Sequence, residues 1–122
     1  MIVTKEYLLK HPEYIFVFGD NLLRKGKGGA AILRDLPNTY GFITKKAPNN
    51  HDWSFYRPYN YQEVFNQELD KMIKEIQSHP DSIYLISKLG GGLANRYKIF
   101  ENIIEPALKP ALERFSNVMF LF

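Results

Sequence analysis

Two short apolar runs in this chain each end in a cluster of glycines, and each cluster leads into a helical pattern. Tyr14 to Phe18 precedes Gly19-Asp20-Asn21 and then Gly26-Lys27-Gly28-Gly29-Ala30-Ala31. Ser82 to Ser87 precedes Leu89-Gly90-Gly91-Gly92-Leu93-Ala94-Asn95. An unbroken apolar run of strand length is typical of a strand covered on both faces. Glycine lets backbone N–H groups approach a ligand closely, and a helix start adds partial positive charge, so a strand–glycine–helix junction is a natural phosphate cradle. Turns and helix starts also favour glycine. Two such junctions in one small domain are better explained by a pyrophosphate held between them.

The rest of the chain fits the same alternation. Thr4 can cap a short helix over Lys5–Lys10 that stops at His11-Pro12. Gly29 to Leu36 reads as a helix stopped by Pro37, and Tyr40 to Thr44 as a second strand. Lys45 to Pro58 is the longest irregular stretch. Asn60, with Glu63 three residues on, predicts the start of a long helix ending near His79-Pro80. Its apolar face is Phe65, Leu69, Met72, Ile73 and Ile76. Asn95 can cap a last helix, kinked or restarted at Pro106 and Pro110, before a closing strand over Val118 to Phe122. Strands alternating with helices predict an α/β fold: a three-layer α/β/α sandwich around a mixed central sheet, one domain over residues 1–122. Ligands bind such folds at the carboxyl ends of the strands, where both glycine clusters lie.

Composition narrows the chemistry. Hydrophobic residues make up 45% of the 122 residues, enough for a core. The absence of cysteine excludes disulfides, thiolate zinc sites and a cysteine nucleophile. His11, His51 and His79 are dispersed without metal-ligand spacing, so no metal is expected, and no cofactor. Met1 to Lys10 is neither a signal peptide nor a membrane span, which predicts a soluble cytoplasmic protein without a membrane partner. A net charge of +3 is modest for a dedicated nucleic-acid binder. Even so, Arg24, Lys25, Lys27, Lys45 and Lys46 cluster at loops beside Trp53, Phe55, Tyr56, Tyr59 and Tyr61. Nucleic acid is therefore kept as a less favoured partner.

The first glycine cluster lacks the Ser/Thr of a P-loop. Gly26-x-Gly28 with Ala31 fits the G-x-G-x-x-A spacing, but Lys45-Lys46-Ala47-Pro48 stands where a dinucleotide fold would carry its ribose-binding acid. The order that remains is Asp20-Asn21, then Gly26-x-Gly28-Gly29-Ala30 before a helix, then Leu89-Gly90-Gly91-Gly92-Leu93 closing a strand. It resembles a macrodomain. Tyr40-Gly-Phe-Ile-Thr-Lys-Lys46, the aromatic loop and the long helix from Asn60 are similar to the small branch of that family that removes ADP-ribose from glutamate. The resemblance covers most of Tyr14 to Phe122.

It implies binding of ADP-ribose or an ADP-ribosylated substrate, and with it an assignment of residues. Asn21 would face the distal ribose, Asp20 would be a candidate acid or orienter, and Gly19 would belong to the same binding site. Gly28, Gly29 and Ala30 would line the ribose–phosphate loop. Leu89, Gly90, Gly91, Gly92, Leu93 and Ala94 would form the second phosphate loop. Trp53 or Phe55 would stack on adenine or close over the ligand. Two departures bear on catalysis. Ala94 stands where the glutamate-deconjugating branch has its catalytic Asp, and the branch's lysine partner meets Arg34, which stays protonated. Asp20, Asn21 and Lys27 remain as candidates to orient a water for hydrolysis at the anomeric carbon or at a terminal phosphate. They could equally serve a non-catalytic reader or sequestering module.

Overall fold

The computed structural model describes residues 3–122; Met1 and Ile2 lie outside it. It is an α/β fold built on four parallel strands in the order β2-β1-β3-β4. They are β1 (Tyr14–Asn21), β2 (Thr39–Lys45), β3 (Ile83–Ile86) and β4 (Val118–Phe120). Every named strand pair is parallel, so the expected mixed sheet is corrected; among the described residues antiparallel pairing is confined to an isolated bridge between Lys45 and Phe55. Each connection between strands crosses back over the sheet, which is what parallel pairing requires. No helix among the described residues is long and apolar enough to cross a membrane.

Alternation along the strands supplies both faces of the sheet. Ile15, Val17, Tyr84 and Ile86 pack with Phe65, Met72 and Ile76 of α2 (Pro58–Ser78) and with Leu108 and Leu112 of α3 (Glu105–Leu112). Phe16, Phe18 and Leu85 pack instead with Leu8 of α1 (Lys5–Lys10) and with Ala31 and Leu33. Each fully buried Phe, Leu or Ile of this kind contributes about 1.5–3 kcal/mol. Thr4 caps α1 as expected, its side chain accepting from the Tyr7 N–H at 3.1 Å.

The elements depart from their expected bounds for local reasons. β1 runs on through Gly19-Asp20-Asn21, so these residues are extended strand with a register shift between Asp20 and Asn21. The expected helix over Gly29–Leu36 is only a 3-10 turn, Gly29–Leu33. Two glycines at its start weaken it, and Pro37 disfavours helical geometry at Leu36. α2 begins at Pro58 rather than Asn60; Asn60 Oδ1 accepts from the Arg57 N–H at 2.8 Å, and proline at the first helical position needs no donor. Asn95 lies in a 3-10 turn, Leu93–Asn95, and its Oδ1 accepts from the Phe100 N–H at 3.0 Å. The backbone then passes through a π-helical stretch, Phe100–Ile104, into α3. Pro106 falls in the first turn of α3, where its missing N–H costs little, whereas Pro110 lies inside the helix. The closing strand is shorter than expected, ending at Phe120.

β2 is an edge strand, and α2 covers its edge. The Ile43 N–H donates to Glu68 Oε1 at 2.7 Å, and the Tyr61 hydroxyl donates to the Ile43 carbonyl at 2.6 Å. Both backbone groups would otherwise be buried without partners. Glu68→Ala should therefore cost about 1–3 kcal/mol of stability, and Glu68→Gln, which keeps an acceptor, clearly less. Urea-unfolding midpoints of the two variants measure the difference.

Candidate functional site

The strand order sends the chain from β1 to one side and from β3 to the other, which opens a crevice at the carboxyl ends of these two neighbours. A cavity of about 460 Å³ lies there, within the range of small-molecule sites. Both glycine clusters line it. Gly19, Gly28, Gly29 and Ala30 form one wall, and Gly90, Gly91, Gly92, Leu93 and Ala94 the other.

Glycine is required at specific points of this cavity. A Cβ on Gly19 would sit 3.1 Å from Thr44 Oγ1 and 3.8 Å from the Gly90 nitrogen, so the end of β1 and the second glycine loop nearly touch. Gly90 has φ +74°, and a Cβ there would meet Ile104 Cδ1 at 2.5 Å. By contrast, a Cβ on Gly28 or Gly92 would meet nothing within 4 Å. Those two positions face the cavity, where a missing side chain leaves backbone N–H groups open to a ligand. The first N–H groups of the turns at Gly29–Leu33 and Leu93–Asn95 have no partner within their own turns.

The charge of the walls is one-sided. Lys25, Lys27, Lys45 and Lys88 line the cavity, and Asp20 is its one acid among the described residues. Lys27 Nζ pairs with exposed Asp35 at 2.6 Å. Burial, and then the charge of Arg96, holds the Lys45 ammonium below the ordinary lysine value. Its Nζ donates to the Asn49 carbonyl at 2.9 Å and lies 4.6 Å from the centre of the Phe55 ring. The Lys88 stem lies across Gly91, its Cγ 2.7 Å from where a Cβ would be.

Asp20 is buried, and its two oxygens are occupied. Oδ1 accepts from Arg34 Nη2 at 2.6 Å and from the Asn21 N–H at 2.8 Å, and Oδ2 accepts from Arg24 Nη1 at 3.1 Å. The same guanidiniums hold the surrounding backbone. Arg34 donates to the Gly26 and Lys25 carbonyls at 2.9 and 3.0 Å, and Arg24 to the Gly41 carbonyl at 3.1 Å. Asp20 is thus the centre of a clasp that fixes the first glycine loop. Asn21 is engaged in the same way: its Nδ2 donates to the Lys25 carbonyl at 2.7 Å, and its Oδ1 accepts from the Leu23 N–H at 3.1 Å. The hydroxyls lining the cavity are engaged as well, Ser87 Oγ donating to the Val17 carbonyl at 2.7 Å and Thr44 Oγ1 to the Asp20 carbonyl at 3.4 Å.

Three of the expected binding residues, Leu89, Trp53 and Phe55, do not line the cavity. Leu89 is buried beneath the cavity in the core instead of lining it. Trp53 lies outside the cavity, stacked on His51, and Phe55 is buried between Arg96 and Lys45. The clasp arginines, Thr44 and Ser87 carry no sequence signal that marks them as part of the site, and Lys88 is marked only by bordering the second glycine run. No metal-binding cluster of His, Asp or Glu occurs among the described residues.

Residues 1–96 match a family of unknown function (DUF7831), and the chain belongs to that family. The match takes in both glycine loops and all of the clasp. No curated protein and no solved structure matches the chain.

Proposed function

We propose that this member of a family of unknown function binds ADP-ribose or a closely related ADP-ribosyl nucleotide in the cavity between its glycine loops. The carrying observation is that two glycine clusters far apart in sequence line a single cavity that four lysines also line, with Asp20, already paired to two arginines, as its one acid among the described residues. Backbone N–H groups and ammonium groups together match a diphosphate, which offers acceptors and negative charge but no donors. The volume accommodates a nucleotide-sized ligand, and its place at the strand-order reversal is where open α/β sheets bind nucleotides. The finer architecture of the proposal is a macrodomain-like three-layer sandwich. In it α2 and α3 cover one face of the sheet, and α1 with the Gly29–Leu33 turn covers the other.

Binding without turnover is the form of this reading that the geometry favours. Hydrolysis calls for a general acid or base within hydrogen-bond reach of the reacting atoms. Both oxygens of Asp20 accept from guanidiniums, Asn21 is held by the loop it closes, and Ala94 offers only a methyl group. A thermal-shift series tests the reading. ADP-ribose should raise the unfolding midpoint progressively with concentration, by about 2.7 kcal/mol of added stability at a hundredfold excess over Kd. AMP, with one phosphate, should do so less, and ADP-ribose should be recovered unchanged. A midpoint unmoved by millimolar ADP-ribose overturns the proposal.

A further inference from the structure

Beside the cavity, the loop between β2 and α2 meets the segment after the second glycine loop through cations and aromatic rings. The Arg96 guanidinium lies 3.9 Å from the centre of the Phe55 ring, and that of Arg57 4.0 Å from the centre of Tyr97. Asp52 sits between them, 3.2 Å from Arg57 Nη2 and 3.8 Å from Arg96 Nη1, and accepts a hydrogen bond from the Tyr97 hydroxyl. Lys46 covers Tyr56 at 5.4 Å. Trp53 stacks on His51 with 13° between the rings and is still 58% exposed, and Tyr59 is 80% exposed.

Together with the four cavity lysines, Lys46, Arg57 and Arg96 place seven of the sixteen Lys and Arg residues on this surface. Asp20 in the cavity and exposed Asp35, Asp52 and Glu101 stand beside them, four of the thirteen Asp and Glu. The net charge of the chain is therefore carried on this side, seven cations against four acids, while the remainder is balanced. We propose that this belt binds single-stranded nucleic acid and leads it to the mouth of the cavity. Cations set beside exposed flat rings suit a strand whose phosphates need neutralising and whose bases are free to stack. A duplex hides its base faces, and an acidic peptide makes no use of the exposed rings of Trp53 and Tyr59. The inference goes beyond nucleotide binding, because the belt works whether or not the cavity is filled.

Trp53 is the sole tryptophan, so its fluorescence reports stacking at this position directly. Titrating the full chain with a 20-nucleotide oligothymidylate should quench that emission saturably. With three phosphate contacts, from Lys46, Arg57 and Arg96, affinity should fall roughly 20-fold between 50 and 200 mM KCl. Polyglutamate and a duplex of equal length should leave the emission unchanged. Measured by anisotropy of a labelled oligonucleotide, Trp53→Ala should weaken binding about fivefold or more, and Lys46→Gln should flatten the salt dependence. Both variants should keep the parental circular dichroism spectrum. Absence of saturable quenching, a salt-independent affinity, or equal binding of polyglutamate overturns the inference. ADP-ribose should raise the unfolding midpoint without quenching Trp53, so failure of either proposal leaves the other separately readable.

Discussion

Arg34→Ala is expected to cost about 3–5 kcal/mol of folding stability, because it leaves a buried carboxylate with half of its charge partners. Arg34 is itself 14% exposed at its side chain and makes the 2.6 Å contact to Asp20. Two backbone carbonyls of the first glycine loop lose their donor at the same time. Arg24→Ala is the internal control. Its side chain is 51% exposed, so solvent can replace much of what it supplies, and a loss of about 1 kcal/mol or less is expected. Asp20→Asn should fall with Arg34→Ala, since it turns a charge-paired site into one with two unopposed guanidiniums. Urea unfolding followed by circular dichroism separates these outcomes. Equal, small losses for both arginines would show that the clasp does not hold the loop.

The second large effect separates two glycines two positions apart. Gly90→Ala must put a side chain at φ +74° against Ile104, which is fully buried and has nowhere to retreat. Left-handed geometry costs about 1–2 kcal/mol and overpacking a further 1–3 kcal/mol, so the variant should be severely destabilised. Gly92→Ala adds a methyl group at φ −107° where nothing lies within 4 Å. It should lose far less stability than Gly90→Ala, since no packing clash opposes it. Should Gly92→Ala unfold as readily as Gly90→Ala, the second loop is a packing element and not a cavity wall.

Much of this was legible in the chain and some was not, for identifiable reasons. The runs Tyr14 to Phe18 and Ser82 to Ser87 announced buried strands because strands covered on both faces need no polar alternation. Glycine clusters at their ends marked the cavity walls for the same local reason. The parallel sense of β4 was not legible, because Val118–Phe120 pairs across α3 and nothing within the strand records direction. The partners of Asp20 were hidden too. Arg34 lies fourteen positions away and reaches Asp20 only because the turn at Gly29–Leu33 is short and folds back. An Asp-Asn pair at a strand end reads equally as turn chemistry, catalysis or anchoring, and the guanidiniums that hold its oxygens come from outside the pair. Trp53 shows the converse: an aromatic loop announces rings but not the surface they face.

The central claim is that the backbone of the two glycine loops grips a diphosphate. Calorimetric titration of ADP-ribose into the parent chain and into Gly92→Ala tests it most directly, with their unfolding midpoints as the control. The parent should bind one equivalent. The variant, folded at the titration temperature, should lose about tenfold or more in affinity, because its methyl group occupies the space the phosphates need. Saturable binding that Gly92→Ala leaves untouched, or no binding heat in the parent at all, would contradict the claim.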